Sequence, residues 1–362
     1  MSCRDRPRFI RPVFLSSLHT FCLPSFRSIF CPVFFLFLLS VSLVFASEKE
    51  ETVLPINRET SAFQKGAFTQ LSKHLSLGVK IKYFDNSHTS YEFGNPFSPY
   101  QAPLSRLEFP LDSWWGGVEL RLSYPRFSIG GEVLTNALGD AHGRMKDSDW
   151  DDNDAPDRKT IYSESGCRME PSYMARFDMD LEISDWLGLP QWFSLRPVVG
   201  FRYQNFHMVT HDGIQYEPFS GKPPASLPGK GIRFKQTYWQ YFTGIRSSVD
   251  IGQFANISSL KFLVQFDWAY VEGSNEDNHL LRAGRRFTYE DTFGYAWHAS
   301  AGLKKGLTKN LFLSFDVDYL QITTTGSHRL VNEAFNMDFG FSHGVKVWSE
   351  QTNYSMSLQY QF

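Results

Sequence analysis

The feature of this sequence that most constrains its fold is a regular alternation of apolar and polar residues. In the stretch 173–183, apolar side chains at every second position interleave with Arg176, Asp178, Asp180 and Glu182. The final nine residues, YSMSLQYQF, alternate in the same way, as do 262–270 and 311–319. Successive side chains of a β-strand point to opposite faces, so each of these strands has one apolar and one polar face. Burying four charges of one strand in a dry core is costly, whereas a closed barrel with a wet, polar interior and an apolar exterior accepts them.

Turn signals divide the chain into ten such strands. We predict them at 72–86, 104–122, 127–139, 171–185, 193–209, 232–250, 257–274, 287–306, 311–326 and 341–362. Short connections alternate with long ones at 87–103, 140–170, 210–231, 275–286 and 327–340. An even strand number with short turns at one end and long loops at the other is typical of bacterial outer-membrane barrels. The sequence therefore predicts an all-β fold, a ten-stranded antiparallel transmembrane outer-membrane β-barrel with long extracellular loops.

The N-terminal region has the parts of a secretory signal. Five arginines come before or within an apolar run that extends to about residue 45, and Val44-Phe45-Ala46 follows the pattern of a cleavage site. We predict a signal peptide at 1–46, a polar N-terminal extension at 47–70 and the barrel at 71–362. A retained membrane helix is the alternative, since about twenty apolar residues can span a bilayer.

Removal of residues 1–46 takes away five Arg and one Asp, which leaves 31 basic and 37 acidic residues and a net charge of −6. Binding to phosphates needs a concentrated basic face, so nucleic acid is not an expected partner. The removal also leaves Cys167 as the one cysteine of the mature sequence, so it has no partner for an internal disulfide. We expect Cys167 in an outer loop, as an exposed thiol.

An acidic run after the third predicted strand, MKDSDWDDNDAPDR, holds six aspartates within eleven residues. A calcium loop, a solvated surface and a catalytic carboxylate cluster are three possible explanations. Counted as a calcium loop from Asp147, the run has Asp152 where a glycine is needed and Arg158 where a bidentate glutamate belongs. Calcium is therefore disfavoured.

A second cluster, VEGSNEDNH, lies at the end of the seventh predicted strand and carries Asp277 and His279 at positions i and i+2. Side chains with this spacing share a face of an extended segment, so Asp277 can accept a hydrogen bond from His279 and fix its tautomer. Asp147 and Asp149 have the same spacing. By the strand count both pairs lie at the outer ends of strands, on separate loops. Facing each other across the barrel mouth, they could hold a water between carboxylate and imidazole.

These blocks resemble the omptin family of outer-membrane endoproteases. The family's Asp-x-Asp-Trp corresponds to Asp147-Ser148-Asp149-Trp150, preceded by Met145. Its Val-Glu…Asp-x-His block corresponds to Val271, Glu272, Asp277 and His279, followed by a Gly-x-Arg-x-Thr-Tyr stretch at Gly284, Arg286, Thr288 and Tyr289. The resemblance extends from about the first strand to Phe362.

The resemblance implies an aspartic-type endopeptidase in which Asp277 orients His279, and His279 with Asp147 activates a water. Asp149 completes the acidic couple. It also implies no metal and no cofactor, apart from lipopolysaccharide as a possible activating lipid. The expected partners are a peptide or protein substrate and outer-membrane lipid, and the expected state is a monomer in the bacterial outer membrane with the active site on the extracellular side.

Two departures from the family pattern concern specificity and lipid binding. Family members that cleave between basic residues have an acid two positions before the Asp of Asp-x-His, and here that residue is Asn275. Glu92 and Glu272 are the candidates to supply the missing charge, so Asn275, Glu92 and Glu272 are the expected substrate-binding positions. The family's outward lipid-binding pattern, Tyr-x-Glu-x-Arg on the fifth strand, is also not retained. Either lipid activation is absent, or other basic residues such as Arg202 or Lys235 replace this pattern.

Two other functions remain open. One is a catalytically silent outer-membrane barrel that serves as an adhesin or structural protein. The other is a small channel, which is disfavoured because side chains can largely fill the interior of a barrel only slightly larger than eight strands.

Overall fold

The computed structural model describes residues 74–94, 103–136, 140–255, 257, 259–284 and 286–362. The predicted signal peptide and N-terminal extension lie outside these residues. The described residues form twelve antiparallel strands, numbered in chain order: β1 Leu75–Phe93, β2 Ser105–Pro110, β3 Trp114–Ser123, β4 Phe127–Asn136, β5 Asp140–Asp149, β6 Ile161–Leu181, β7 Phe193–Tyr216, β8 Ala225–Asp250, β9 Leu260–His279, β10 Arg286–Gly306, β11 Leu311–Asn332 and β12 Met337–Gln361. The lower end of the barrel is defined as the end where β1 begins and β12 ends.

Four of the twelve strands combine into two staves of the barrel. The lower half of β1 pairs with β3 and its upper half with β2. In the same way β6 pairs with β4 below and with β5 above. Because β3 pairs with β4 and β2 with β5, the strands β2 and β3 make one stave and β4 and β5 make another. β12 closes the ring against β1, so the predicted ten-stranded antiparallel barrel is confirmed.

The stave made of β2 and β3 is interrupted where β1 carries a bulge. The ladder of β1 shifts register between Asp85 and His88. The Ser87 amide there donates to Asp112 Oδ1 at 2.6 Å, and the Leu111 amide donates to the Ser87 carbonyl at 2.9 Å. Pro110, which cannot donate a ladder hydrogen bond, ends β2. Two neighbouring staves therefore bend at the same height and are tied together there.

The strands continue further upward than predicted. Residues 88–93, 140–149, 161–170, 210–216, 225–231, 275–279 and 327–332 are strand, although the turn signals of the sequence predict outer loops there. The prediction was wrong at these positions because the apolar and polar alternation stops above the lipid. On β9, for example, both Asn275 and its outward neighbour Glu276 are polar, so the signal with period two is lost. Asp147, Asp149, Asp277 and His279 therefore lie on strands and not on loops.

A belt of exposed apolar side chains surrounds the lower part of the barrel. It includes Leu77, Val79 and Ile81 on β1, Val264, Phe266 and Trp268 on β9, Phe293, Tyr295 and Trp297 on β10, Phe315, Val317 and Tyr319 on β11, and Tyr354, Met356 and Leu358 on β12. Lipid chains are the solvent that such a surface requires. On β9 the belt ends near Tyr270, and Asp277 lies seven residues further up, or about 23 Å at about 3.3 Å per residue along the strand. Asp277 is therefore well above the membrane-spanning segments.

Short helical turns occur at Asp185–Leu187, Gly252–Ala255 and Glu333–Phe335. No helix in the described part of the chain is both long and apolar enough to cross a bilayer.

A network of arginines and aspartates lines the lower lumen, as the charged face of 173–183 predicted. Asp178 and Asp180 on β6 are almost completely buried. Arg121 donates to Asp178 at 2.7 Å, Arg196 donates to Asp180 at 2.5 Å, and Arg246 contacts both carboxylates. Because each buried charge has opposite partners, the polar face of the sheet is compensated inside the barrel.

A layer of aromatic rings lies above this network. Phe109 stacks on Phe234 with ring centroids 4.3 Å apart, and Phe234 stacks on Tyr91 at 5.5 Å. Tyr91 is 6.4 Å from Phe93, which stacks on His328 at 4.7 Å. The five rings come from β2, β8, β1 and β11, so they span the lumen from wall to wall. They form the floor of the cleft at the upper end.

Candidate active site

Asp277 and His279 are adjacent on the inner face of β9. Val271, Gly273, Asn275 and Asp277 alternate as buried residues, which places every odd-numbered side chain of this segment inside the barrel. Asp277 is completely buried, and its Oδ2 lies 3.0 Å from Nε2 of His279, whose side chain is 13 % exposed. The carboxylate therefore fixes the orientation of the imidazole and leaves Nδ1 as the nitrogen that can take a proton from a water.

Tyr91 holds Asp277 from the opposite wall. Its hydroxyl on β1 donates to the same Asp277 Oδ2 that binds His279. Burial and the negative charge of Asp277 raise the pKa of Tyr91 well above its usual value of about 10, so the hydroxyl stays protonated and remains a donor. Asp277 is thus fixed both from its own strand and from across the barrel.

Asp147 and Asp149 lie on the inner face of β5. Asp147 is paired in the sheet with Leu107, a buried core residue, and Asp149 is paired with Ser105. Met145, two residues before Asp147 on the same face, is buried as well. The apolar neighbours place the two carboxylates in surroundings where charge is poorly solvated.

The pKa shifts of Asp147 and His279 show that the two pairs influence each other electrostatically. Burial, and then the neighbouring Asp149, raise the pKa of Asp147 to about 7, while the positive charge of His279 lowers it. Burial by itself lowers the pKa of His279, but the charge and hydrogen bond of Asp277 outweigh burial, and Asp147 also raises it, so the net pKa is above the usual value. Burial also raises the pKa of Asp149. Asp147 and His279 therefore act on each other across the cleft, and the pKa of each group is raised above its usual value.

The rest of the acidic run has a different position. Asp152 caps a turn by accepting from the amides of Asp154 at 2.9 Å and Ala155 at 3.2 Å, and its carboxylate also pairs with Arg158. This part of the run is a solvated turn, whereas Asp147 and Asp149 face the cleft. The part of the run from Asp152 to Arg158 thus fits the explanation of a solvated surface.

The structure brings only one of the three expected substrate-binding residues into the lumen. Asn275 is buried, two residues below Asp277 on the inner face of β9. Glu272 shares its face with its ladder partner Phe293, which is 62 % exposed, so it lies on the outer surface. Glu92 alternates with the buried Tyr91 and is held by Arg106, whose Nε donates to Glu92 Oε2 at 2.7 Å, so it also points away from the cleft.

Two further expectations fail for reasons of burial. Arg202 points into the lumen and donates to Asp267 at 2.6 Å, so it cannot reach outer-membrane lipid, whereas Lys235 is exposed on the outside. Cys167 lies on β6 and not in a loop, and it is 4 % exposed. Burial raises the pKa of its thiol to about 12, so it stays a neutral thiol.

Two residues of this cleft had no role assigned from the sequence. Tyr91 precedes Glu92 in the sequence. Thr89 and Phe93, two residues before and after Tyr91 on β1, also point inward, so the alternation along this strand could have identified Tyr91 as a residue of the cleft. Arg286 belongs to the Gly-x-Arg-x-Thr-Tyr stretch, and the register of β9 and β10 places it directly opposite His279. Among the described residues, no group of three His, Cys, Asp or Glu side chains is arranged to hold a metal ion.

Comparison with known proteins gives the family and the fold of the chain. The sequence profile of the omptin family matches residues 115–362. The crystal structure of the outer-membrane protease OmpT from Escherichia coli superposes with a TM-score of 0.70 at 15 % identity, covering 80 % of this chain and 96 % of that chain. The translocator domain of the autotransporter NalP from Neisseria meningitidis covers 83 % of this chain and 96 % of its own at 8 % identity, but its TM-score of 0.32 is too low to support an argument. No curated protein sequence matches the chain significantly. The matched profile spans more than half of the chain, and we conclude that this protein belongs to the omptin family of the bacterial outer membrane.

Proposed function

We propose that the protein is an outer-membrane endopeptidase that hydrolyses peptide bonds with a water activated between His279 and Asp147. Asp277 orients His279, and Asp149 shares the negative charge and the proton of Asp147. The site opens upward, away from the membrane, so the substrate is a peptide or protein on the extracellular side. The omptin family and the OmpT-like fold support an outer-membrane protease.

The observation that carries the proposal is that an Asp–Asp pair and an Asp–His pair from distant parts of the chain face the same cleft. Asp147 and Asp149 reach the cleft from β5, and Asp277 and His279 reach it from β9, with β6, β7 and β8 between them in the sheet. One imidazole, one oriented carboxylate and a second carboxylate with a pKa near 7 are the groups that general-base activation of water requires.

In the proposed reaction the water oxygen forms a bond to the peptide carbonyl carbon while one of its two protons passes to the base formed by His279 with Asp147, and the other stays on the new hydroxyl group. The carbonyl electron pair moves onto the oxygen to give a tetrahedral intermediate. When the intermediate collapses, the C–N bond breaks and the leaving amine takes the proton back. No bond forms between substrate and enzyme.

The test is cleavage of a random peptide library by the purified, refolded protein beside His279→Ala and Asp147→Asn. Loss of a positioned base lowers the rate by about 10²–10⁴-fold. His343→Ala is the matched control, because His343 is an exposed histidine on β12. Each variant is first shown to fold by the heat-dependent shift in mobility that intact barrels give on gels.

If the wild type leaves the library intact, or if His279→Ala cleaves it at the wild-type rate, the alternative of a catalytically silent adhesin or structural barrel replaces the protease. A cleaving wild type with an inactive His279→Ala excludes that alternative.

The same library tests specificity. Because Asn275 is uncharged and Glu92 and Glu272 face outward, we propose that the cleft does not select Lys or Arg beside the scissile bond. Glu92→Gln and Glu272→Gln should therefore give the wild-type cleavage profile. A strong enrichment of Lys or Arg beside the scissile bond would contradict this part of the proposal, and loss of that enrichment in either variant would assign the selecting charge to the substituted residue.

A further inference from the structure

The sheet directly fixes the position of Arg286 relative to His279. The two residues are ladder partners on β10 and β9. Directly opposed residues of antiparallel strands have Cβ atoms about 4.5–5.5 Å apart. Thr288 and Glu290, the next residues on the same face of β10, are almost completely buried in the lumen. Arg286 therefore presents its side chain to the cleft beside the imidazole.

The guanidinium of Arg286 has a hydrogen-bond donor without a partner in the described part of the chain. Its Nε is buried and has no hydrogen-bond partner among the residues that the structure describes. A buried donor without a partner costs about 1–3 kcal/mol, so such donors are rare in folded proteins. A donor of this kind beside a catalytic imidazole can be satisfied by an acceptor that arrives with the substrate.

The charge of the site shows which acceptor is needed. Asp147, Asp149 and Asp277 all lie close to the scissile bond in the proposed reaction, and carboxylates repel the oxyanion that develops on the carbonyl oxygen. A positive group must offset that repulsion. The charge of Arg286 lowers the pKa of both His279 and Asp149, so it acts on both sides of the cleft.

Arg282 is the other cation that acts on these aspartates, since its charge lowers the pKa of Asp147 and Asp149. It lies in the turn between β9 and β10 and is exposed. Arg286 lies on the strand, where the ladder holds its backbone in place. Electrostatic stabilisation of a transition state depends on donors that are fixed before the reaction, which favours Arg286 over Arg282.

We propose that Arg286 is a catalytic residue whose guanidinium donates hydrogen bonds to the oxyanion of the tetrahedral intermediate. This inference rests on the proposed peptidase function. When the water oxygen bonds to the carbonyl carbon, the displaced π electron pair becomes the negative charge that Arg286 holds. When the C–N bond breaks, that pair re-forms the carbonyl and the amine leaves with the proton from His279 and Asp147.

The experiment compares steady-state kinetics of the wild type, Arg286→Gln and Arg286→Lys on one peptide that the wild type cleaves. Loss of one oxyanion donor typically lowers kcat by about 10²–10³-fold, so Arg286→Gln should fall by that factor with little change in KM. Arg286→Lys keeps the positive charge but lacks the planar guanidinium, so its kcat should lie between that of the wild type and that of Arg286→Gln. Arg329→Gln is the matched control, because Arg329 is an exposed arginine that pairs with Asp338 away from the cleft.

Rescue separates a catalytic role from a structural one. Added guanidinium salt should restore part of the kcat of Arg286→Ala and should leave the activity of His279→Ala unchanged. A wild-type kcat in Arg286→Gln, or a loss confined to KM, overturns the proposal while the peptidase function stands. A wild type that cleaves nothing overturns the peptidase function and the role of Arg286 together.

Discussion

The carboxylate of Asp277 shows how much of this site depends on single atoms. One oxygen of that carboxylate is bound both by His279 from its own strand and by Tyr91 from the opposite wall. The Tyr91 hydroxyl stabilises the negative charge of Asp277 and thereby limits how strongly Asp277 raises the pKa of His279. The proton affinity of the proposed base is thus set partly by a residue on the far side of the barrel.

We expect Tyr91→Phe to move the acid limb of the pH–rate profile upward. In the proposed mechanism, His279 and Asp147 must lose their protons before they can accept one from water. The pKa values of both groups are raised, so activity should increase with pH through the neutral range. Without the hydroxyl, Asp277 is a stronger acceptor, the pKa of His279 rises further, and the limb shifts by about 0.5–1 pH unit. Kinetics between about pH 5 and 9 measure this shift. Tyr354→Phe, on the outer surface, is the control, and an unmoved limb would show that the hydroxyl has no such effect.

The positions of some of these side chains could be predicted from the sequence and others could not. The neighbourhood of Asp277 and His279 was predictable because a spacing of two fixes a common face in any strand. The orientation of Glu92 was not, because the face of a side chain depends on which neighbouring residue points inward. Here Tyr91 takes the inner face of β1, so Glu92 takes the outer one.

At the scale of the element, the bend shared by β1 and the stave of β2 and β3 positions the upper walls. The stave stops at Pro110 and resumes at Trp114, and Asp112 in the gap binds the bulge of β1 at Ser87. The backbone of Asp112 also accepts from the His142 amide at 2.8 Å, which connects the gap to β5. Asp147 lies on β5 five residues beyond that contact, so the bend helps to set the height and tilt of the acidic pair.

We expect Asp112→Ala to lower the stability of the barrel by about 1–3 kcal/mol, because the Ser87 amide loses its acceptor in a part-buried place. The measurement is the temperature at which the compact form changes to the unfolded form on gels. Asp338→Ala removes an exposed ion pair with Arg329 and should shift that temperature little, since exposed pairs contribute about 0–1 kcal/mol. Equal shifts in the two variants would mean that Asp112 does not fasten the bend.

The ends of the strands were the part of the fold that the sequence could not supply. Inside the membrane one face must be apolar, so the pattern with period two is strong, and the lower strands were predicted well. Above the membrane both faces meet water or polar groups, as at Ser274 to Asp277, and the pattern disappears although the ladder continues. Above the membrane, hydrogen bonds between neighbouring strands continue the sheet although the sequence no longer alternates between apolar and polar residues.

At the scale of the whole molecule, two layers of interacting side chains lie one above the other inside the barrel. The arginine and aspartate network lines the lower lumen, and the aromatic layer crosses the lumen above it. The prediction that such an interior leaves no wide pore therefore rests on two successive layers of contacts.

We expect the purified protein to show no stepwise conductance in planar lipid bilayers under conditions where a wide porin conducts. Asp180→Ala should destabilise the barrel by about 3–5 kcal/mol, because it leaves the guanidinium groups of Arg121, Arg196 and Arg246 without one of their buried partners. Chemical unfolding in detergent measures this loss. Steady single-channel currents from the wild type would favour a small channel over the closed barrel.

The aromatic layer also decides where the fragments of a cut polypeptide can go. Stacked rings from four staves cross the lumen below the cleft, so we expect both new chain ends to depart through the same mouth by which the intact chain came in. Such an enzyme delivers its products to the surroundings of the cell and imports none of them. Any benefit to the cell comes from altering or destroying proteins outside it, and uptake of the resulting peptides would need a separate transporter.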